Sequence, residues 1–98
     1  MQTYMLFTKL STDLSFEMKN RERQGRSWLE QVKTKCPAVK FLSHYAILGD
    51  YDFIDIYEAP DPETAAKVSM ISQANGAIQA KSMLAIPYKR FLKLADEI

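Results

Sequence analysis

The chain has 98 residues, 47% hydrophobic and 26% charged, and its 13 basic and 12 acidic side chains leave a net charge of +1. That balance argues against nucleic acid or an anionic membrane as a partner, and the hydrophobic share argues against disorder. No apolar run resembles a signal peptide or approaches the roughly 18 residues of a membrane helix.

Cys36 is the only cysteine, so no intrachain disulfide forms, and no Cys/His spacing suits zinc. The expectation is a soluble, cytoplasmic protein with no metal and no cofactor. The length fits one domain, residues 1–98, with a core over 2–86 and a C-terminal helix over 87–98. A domain this small buries a modest fraction of its surface, and association with a second copy is a common remedy.

Gln2 to Thr8 reads as the first strand. Met5 and Phe7 share one face, Tyr4 and Leu6 the other, so both faces are apolar and both need cover. Ser11 to Cys36 is the first helical region. Ser11, Thr12 and Asp13 offer cap oxygens, and Leu14, Met18, Trp28, Leu29, Val32 and Cys36 form the apolar stripe. The polar middle, Lys19 to Arg26, contains Gly25, which costs about 1 kcal/mol against Ala in a helix interior, and predicts a break or kink. Its cations read as a solvated helix face, and Cys36 reads as a small buried hydrophobe. Pro37 ends the helix.

Ala38 to Leu48 is the second strand, with Val39, Phe41, Tyr45 and Ile47 on one parity and Leu42, His44, Ala46 and Leu48 on the other. Gly49-Asp50 is a two-residue hairpin signal suited to a type II′ turn. Tyr51 to Glu58 is the third strand, with Ile54 and Ile56 opposite in face to Phe53, Asp55 and Tyr57. Asp61 is a helix cap followed by Pro62 at the first helical position, and the helix runs to about Ala74, stopped at Asn75-Gly76. Ala77 to Ile86 is the fourth strand, with Ile78, Ala80, Leu84 and Ile86 on one face and Gln79, Lys81 and Met83 on the other. Pro87 ends it, and Tyr88, Phe91, Leu92 and Ala95 have the spacing of an amphipathic tail helix.

The order βαββαβ plus a tail helix is that of an α+β, ferredoxin-like fold: a four-stranded antiparallel sheet with both helices on one face. The isoleucines of the third strand and the apolar parity of the fourth are expected to meet the helices. The other face would then hold Tyr4 and Leu6 (or Met5 and Phe7), Phe53, Tyr57 and Met83. An apolar face of that extent marks an interaction surface, and a second copy of the sheet would close it as a dimeric α+β barrel or a higher homo-oligomer.

The segment Gly49-Asp-Tyr51-Asp52, followed by Glu58-Ala-Pro-Asp61, resembles the GYD-domain family, named for its Gly-x-Tyr-Asp turn. The helix ending at Gly76 and the closing strand match in order and spacing, so the resemblance runs from about Thr3 to Ile86. It implies a dimeric ferredoxin-like barrel. The same turn and the Pro-Asp helix start are similar to the effector-binding domain of leucine-responsive-type regulators. The chain departs from the family pattern at Asp55 and at Gly76-Ala-Ile-Gln-Ala80, and no helix-turn-helix segment precedes the domain.

His44 is the only histidine. An even hairpin loop places it opposite Asp55, and an odd loop places Tyr45 there instead. In the even register Asp55 and Tyr57 would share the barrel-facing side with Gln79 and Lys81. A histidine beside a carboxylate in an apolar cavity, with a lysine and a tyrosine near it, suits a small apolar or amphipathic ligand, or acid–base work. His44, Asp55, Tyr57, Gln79 and Lys81 are therefore the candidate ligand site. Gly49, Asp50, Tyr51, Asp52, Asp61 and Gly76 read as turn, packing and cap chemistry, and no residue is assigned as catalytic. The leading function is a dimeric module that binds a small molecule or a protein. The alternative is a small cofactor-independent enzyme of the monooxygenase, isomerase or lyase kind.

Overall fold

The computed structural model describes residues 1–12 and 18–98. The expected cap at Asp13, the stripe position Leu14, the side chain of Met18 and the acidic Glu17 lie outside the described residues. The chain forms β1 (Gln2–Leu10), a 3-10 turn (Met18–Asn20), α1 (Arg21–Lys35), β2 (Lys40–Ala46), β3 (Phe53–Ala59), α2 (Pro62–Ala74), β4 (Ala77–Ala85) and α3 (Tyr88–Asp96). The strands make one antiparallel sheet in the order β2-β3-β1-β4. This is the expected ferredoxin-like arrangement.

The core lies between the sheet and the first two helices. Tyr4 and Leu6 of β1 and Tyr57 of β3 pack with Val32 and Cys36 from the α1 end, and with Ala65 and Val68 of α2. Cys36 is buried, as its place on the stripe predicts. The helix ends follow local chemistry. Asp61 accepts the Thr64 N–H at 2.7 Å, which holds its carboxyl below the usual range. Gly76 leaves α2 at φ 99°, a conformation that favours glycine. The irregularity expected within Lys19 to Arg26 falls at its start, where the 3-10 turn gives way to α1, and α1 runs through Gly25 unbroken.

The faces of the sheet correct one expectation. Ile54 and Ile56 do not meet the helices. Asp55, Tyr57 and Phe53 do, because Tyr57 pairs with the buried Tyr4, Asp55 with the buried Leu6, and Phe53 with the buried Thr8. A large aromatic fills the helix–sheet interface, with its hydroxyl satisfied there, better than a second isoleucine would. The opposite face carries Met5 and Phe7 of β1, Ile54 and Ile56 of β3, and Met83 of β4, which pairs with Met5. Phe53 and Tyr57 are thus absent from the open face, and Ile54 and Ile56 take their place.

The hairpin differs in width but not in register. Its strands end at Ala46 and Phe53, and the Ile47 N–H donates to the Asp52 carbonyl at 2.9 Å, closing a four-residue loop, Leu48 to Tyr51, where a two-residue turn was expected. Both loops share one centre, so His44 still lies opposite Asp55. In β2 a bulge between Phe41 and Ser43 breaks the period of two. Phe41 therefore lies opposite Tyr57 and His44 opposite Asp55, and both share the helix-facing side despite their opposite parity in sequence.

Helix α3 has no buried residue, and Tyr88 and Phe91 stack on each other at 6.2 Å in the absence of a core. No helix among the described residues is long and apolar enough to cross a membrane.

Candidate functional site

The Gly-x-Tyr-Asp turn is a structural joint. Gly49 sits at φ 147°, which a side chain would strain. Tyr51 turns its ring onto the open face against Phe7 at 5.3 Å. The Lys81 ammonium donates to its hydroxyl at 3.1 Å and lies 5.7 Å from the ring centroid. Asp52 ties three elements together: its N–H donates to the Thr8 carbonyl at 2.8 Å, its Oδ2 accepts the Leu10 N–H at 2.8 Å, and its Oδ1 meets the Arg21 guanidinium at 3.4 Å. The carboxylate therefore extends the β3–β1 ladder past its last pair and holds the first turn of α1 over it. Asp50 offers only its carbonyl, to Lys9 Nζ at 3.1 Å.

The five candidate ligand residues divide between the two faces. His44 and Asp55 come together on the helix side, Nδ1 to Oδ1 at 2.5 Å, with Asp55 buried and His44 half open to solvent. The imidazole stacks on Phe53 at 5.5 Å. Burial pushes the Asp55 carboxyl up, and the charge and hydrogen bond of His44 pull it back part of the way. Tyr57 is on the same side but serves the core. Its hydroxyl shares a hydrogen bond with Ser82 Oγ at 2.7 Å, and Ser82 in turn meets Ser69 Oγ at 2.7 Å. Burial pushes this phenol up to about 12. Gln79 and Lys81 pair with Lys9 and Phe7 and so belong to the open face, across the sheet from His44. The expected barrel-facing constellation is corrected on this point: one pair, His44–Asp55, survives, and it opens towards α1.

That pair sits in a cleft of about 460 Å³ between α1 and the sheet. Leu10, Trp28, Leu29, Phe41 and Phe53 give it apolar walls, and Gln24, Arg21 and Arg26 bring polar groups to it. Volume and lining match a site for a small organic molecule. Gln24 Oε1 and Trp28 Nε1 are both buried without a hydrogen-bond partner. Sequence reasoning missed Gln24 and used Trp28 only as a core residue. The available signal was their spacing of four, which puts the two side chains on neighbouring turns of one helix face.

Comparison with known proteins places these features in a family. A model of the GYD domain matches residues 4–95. The "Glutamine synthetase and cystathionine beta-lyase binding protein" of Thermus thermophilus is 30% identical over 88 residues, covering 89% of this chain and 90% of that protein. Among solved structures, FFRP-DM1 superposes with a TM-score of 0.55 at 22% identity, covering 88% of this chain and 100% of its own. TTHA0845 of Thermus thermophilus does so with a TM-score of 0.57 at 18% identity, covering 89% and 95%. At those identities the structural likeness speaks for the fold alone.

Proposed function

The chain belongs to the GYD domain family, and on that basis we propose that it is a non-enzymatic interaction module that works as a homodimer and docks on other proteins. One observation carries the reading: the sheet has an apolar face of Met5, Phe7, Ile54, Ile56 and Met83 that no described element covers. Monomeric soluble proteins rarely leave such a face in water. The fully buried large side chains are only Tyr57, Leu6, Val32 and Val68 among the described residues, so the monomer core is thin and association adds what it lacks. A second copy, sheet to sheet, closes the face symmetrically and leaves α3 outside with Tyr88, Phe91 and Leu92 exposed for a partner. The name of the Thermus thermophilus relative supports glutamine synthetase and cystathionine beta-lyase as the first partners to try. A cytoplasmic setting is part of the same proposal, with Cys36 a buried free thiol.

The test is biolayer interferometry of the full chain against purified glutamine synthetase and cystathionine beta-lyase of its own organism. Saturable binding that Phe91→Glu abolishes supports docking through α3. Absence of binding to both enzymes overturns the choice of partners.

A second reading accompanies the first: the cleft beneath α1 holds a small molecule that tunes the assembly. The cleft volume and the His44–Asp55 pair support it. We read that pair as a ligand contact and not as catalytic machinery, because Lys81 acts on Tyr51 across the sheet and Tyr57 is committed to Ser82.

A further inference from the structure

We infer that α3 pairs antiparallel with α3 of a second copy of this chain. The apolar stripe of Tyr88, Phe91, Leu92 and Ala95 meets its twin, and Lys89 of each helix stands against Asp96 of the other. The inference goes beyond the sheet-to-sheet dimer and does not need it. Three observations carry it.

The first is that the helix is unpartnered in its own chain. No residue of α3 is buried, and no strand or helix among the described residues packs along it. Tyr88, Phe91 and Leu92 are 72%, 53% and 46% exposed. The radius of gyration is 14.6 Å, against about 13 Å for a compact domain of this length, as befits a body with one element standing off it. A nine-residue helix is marginal alone in water and holds through packing of its apolar face. No described element of the chain supplies that packing.

The second is charge, which runs the wrong way for a lone helix. The first turn holds Lys89 and Arg90 and no acid, and Asp96 closes the last turn. A helix dipole favours acids at its start and bases at its end, and only Lys93 suits it. Lys89 also has that lysine four residues on, a like-charged neighbour. Neither Lys89 nor Asp96 makes an ion pair among the described residues. An antiparallel partner answers all of this: its acidic end lies beside the basic start of this helix, and the two dipoles oppose.

The third is register. Lys89 follows Tyr88 and Asp96 follows Ala95, so the two charges border the same side of the stripe near its two ends. In an antiparallel pair related by a two-fold axis, like sides meet. Lys89 then faces the partner's Asp96, and Asp96 the partner's Lys89, with Leu92 near the axis. A parallel pair would bring the two basic starts together instead. Two helices about 14 Å long bury less than the roughly 1,200 Å² of a stable complex. The pairing is therefore weaker than the sheet contact and forms at higher protein concentration. A protein that docks on α3 has to displace its twin, and that consequence alone rests on the proposed function.

Sedimentation equilibrium of the full chain over a rising concentration series is the test. Wild type should show a second association step, above the one that forms the dimer. Lys89→Glu turns both ion pairs into repulsions and should weaken that step about 10-fold, and Asp96→Lys should do the same. Each change suits the dipole of a lone helix better than wild type does, so helix content by circular dichroism should hold. Mixing the two variants should restore the step, because each mixed pair again sets opposite charges face to face. The double variant should restore it too. A wild-type chain without a second step overturns the pairing, as does a step that neither swap weakens. Loss in both swaps without rescue by mixing also overturns it, and shows α3 bound to some other surface. If the dilute chain is a monomer, the sheet-to-sheet reading has failed, and the same pattern of loss and rescue still decides the pairing from the monomer upward.

Discussion

Asp52 gives the sharpest test of whether the family turn is a joint or a binding site. Asp52→Ala removes the acceptor of the Leu10 N–H and the partner of Arg21 at one stroke. A part-buried N–H bonded to a carboxylate contributes about 1.5–3 kcal/mol, and stranding it forfeits that amount. The ion pair is partly exposed, at 19% and 23% for its two side chains, and adds about 0.2–1 kcal/mol. The alanine variant should therefore lose about 2–4 kcal/mol. For a chain of this length about 1 kcal/mol corresponds to roughly 5 °C in Tm, so the midpoint should fall by about 10–20 °C. Asp52→Asn keeps a neutral oxygen for Leu10 but loses the charge from both contacts, so it should cost about 1–2 kcal/mol, less than alanine. The assay is urea unfolding by circular dichroism, with the thermal midpoint as a second readout. Equal losses in the two variants, or an alanine variant within about 0.5 kcal/mol of wild type, would refute the claim that Asp52 acts by completing the β3–β1 ladder.

Three further outcomes follow from the same geometry. Gly25→Ala should stabilise the chain by about 0.5–1 kcal/mol in urea unfolding, because Gly25 lies inside α1 with empty space where a Cβ would go; destabilisation would mean that the backbone there needs glycine. Tyr57→Phe should cost about 1 kcal/mol through loss of the Ser82 hydrogen bond, and an ultraviolet titration should lose the phenol step at about 12. The third concerns pH. Burial holds the Asp55 carboxyl above 3.8 in the folded chain, so in the window between the unfolded and folded values the native state binds more protons than the unfolded one. Stability attributable to Asp55 therefore falls as pH rises through that window, and the difference in unfolding free energy between wild type and Asp55→Asn should shrink with it. A difference that grows with pH would show that His44, and not burial, dominates.

Much of this molecule is legible in its sequence. The Asp61-Pro62 start, the Gly76 stop and the amphipathic spacing after Pro87 each act through local chemistry, and each element forms where that chemistry puts it. The His44–Asp55 register was readable because any even hairpin loop about Gly49-Asp50 has the same centre, even though the loop is four residues wide. What was not legible is tertiary. The β2 bulge moves Phe41 and His44 to one face, and no residue type near Leu42 announces it. Which face of β3 meets the helices turns on whether Tyr57 or Ile56 fills the interface better, and on a strand apolar on both sides the alternation does not decide it. The cleft polar pair escaped for a related reason: Trp28 on a helix stripe reads as core, and only the packed structure leaves its N–H without a partner.

Whether the uncovered sheet face is an interface decides the rest, and native mass spectrometry of the full chain over a dilution series addresses it without intermediaries. A dominant species at twice the 11.3 kDa chain mass is expected, with collapse to a single chain in Ile56→Glu, which puts a charge in the middle of Met5, Phe7 and Met83. A wild-type chain that stays at 11.3 kDa at every concentration would rule the interface out.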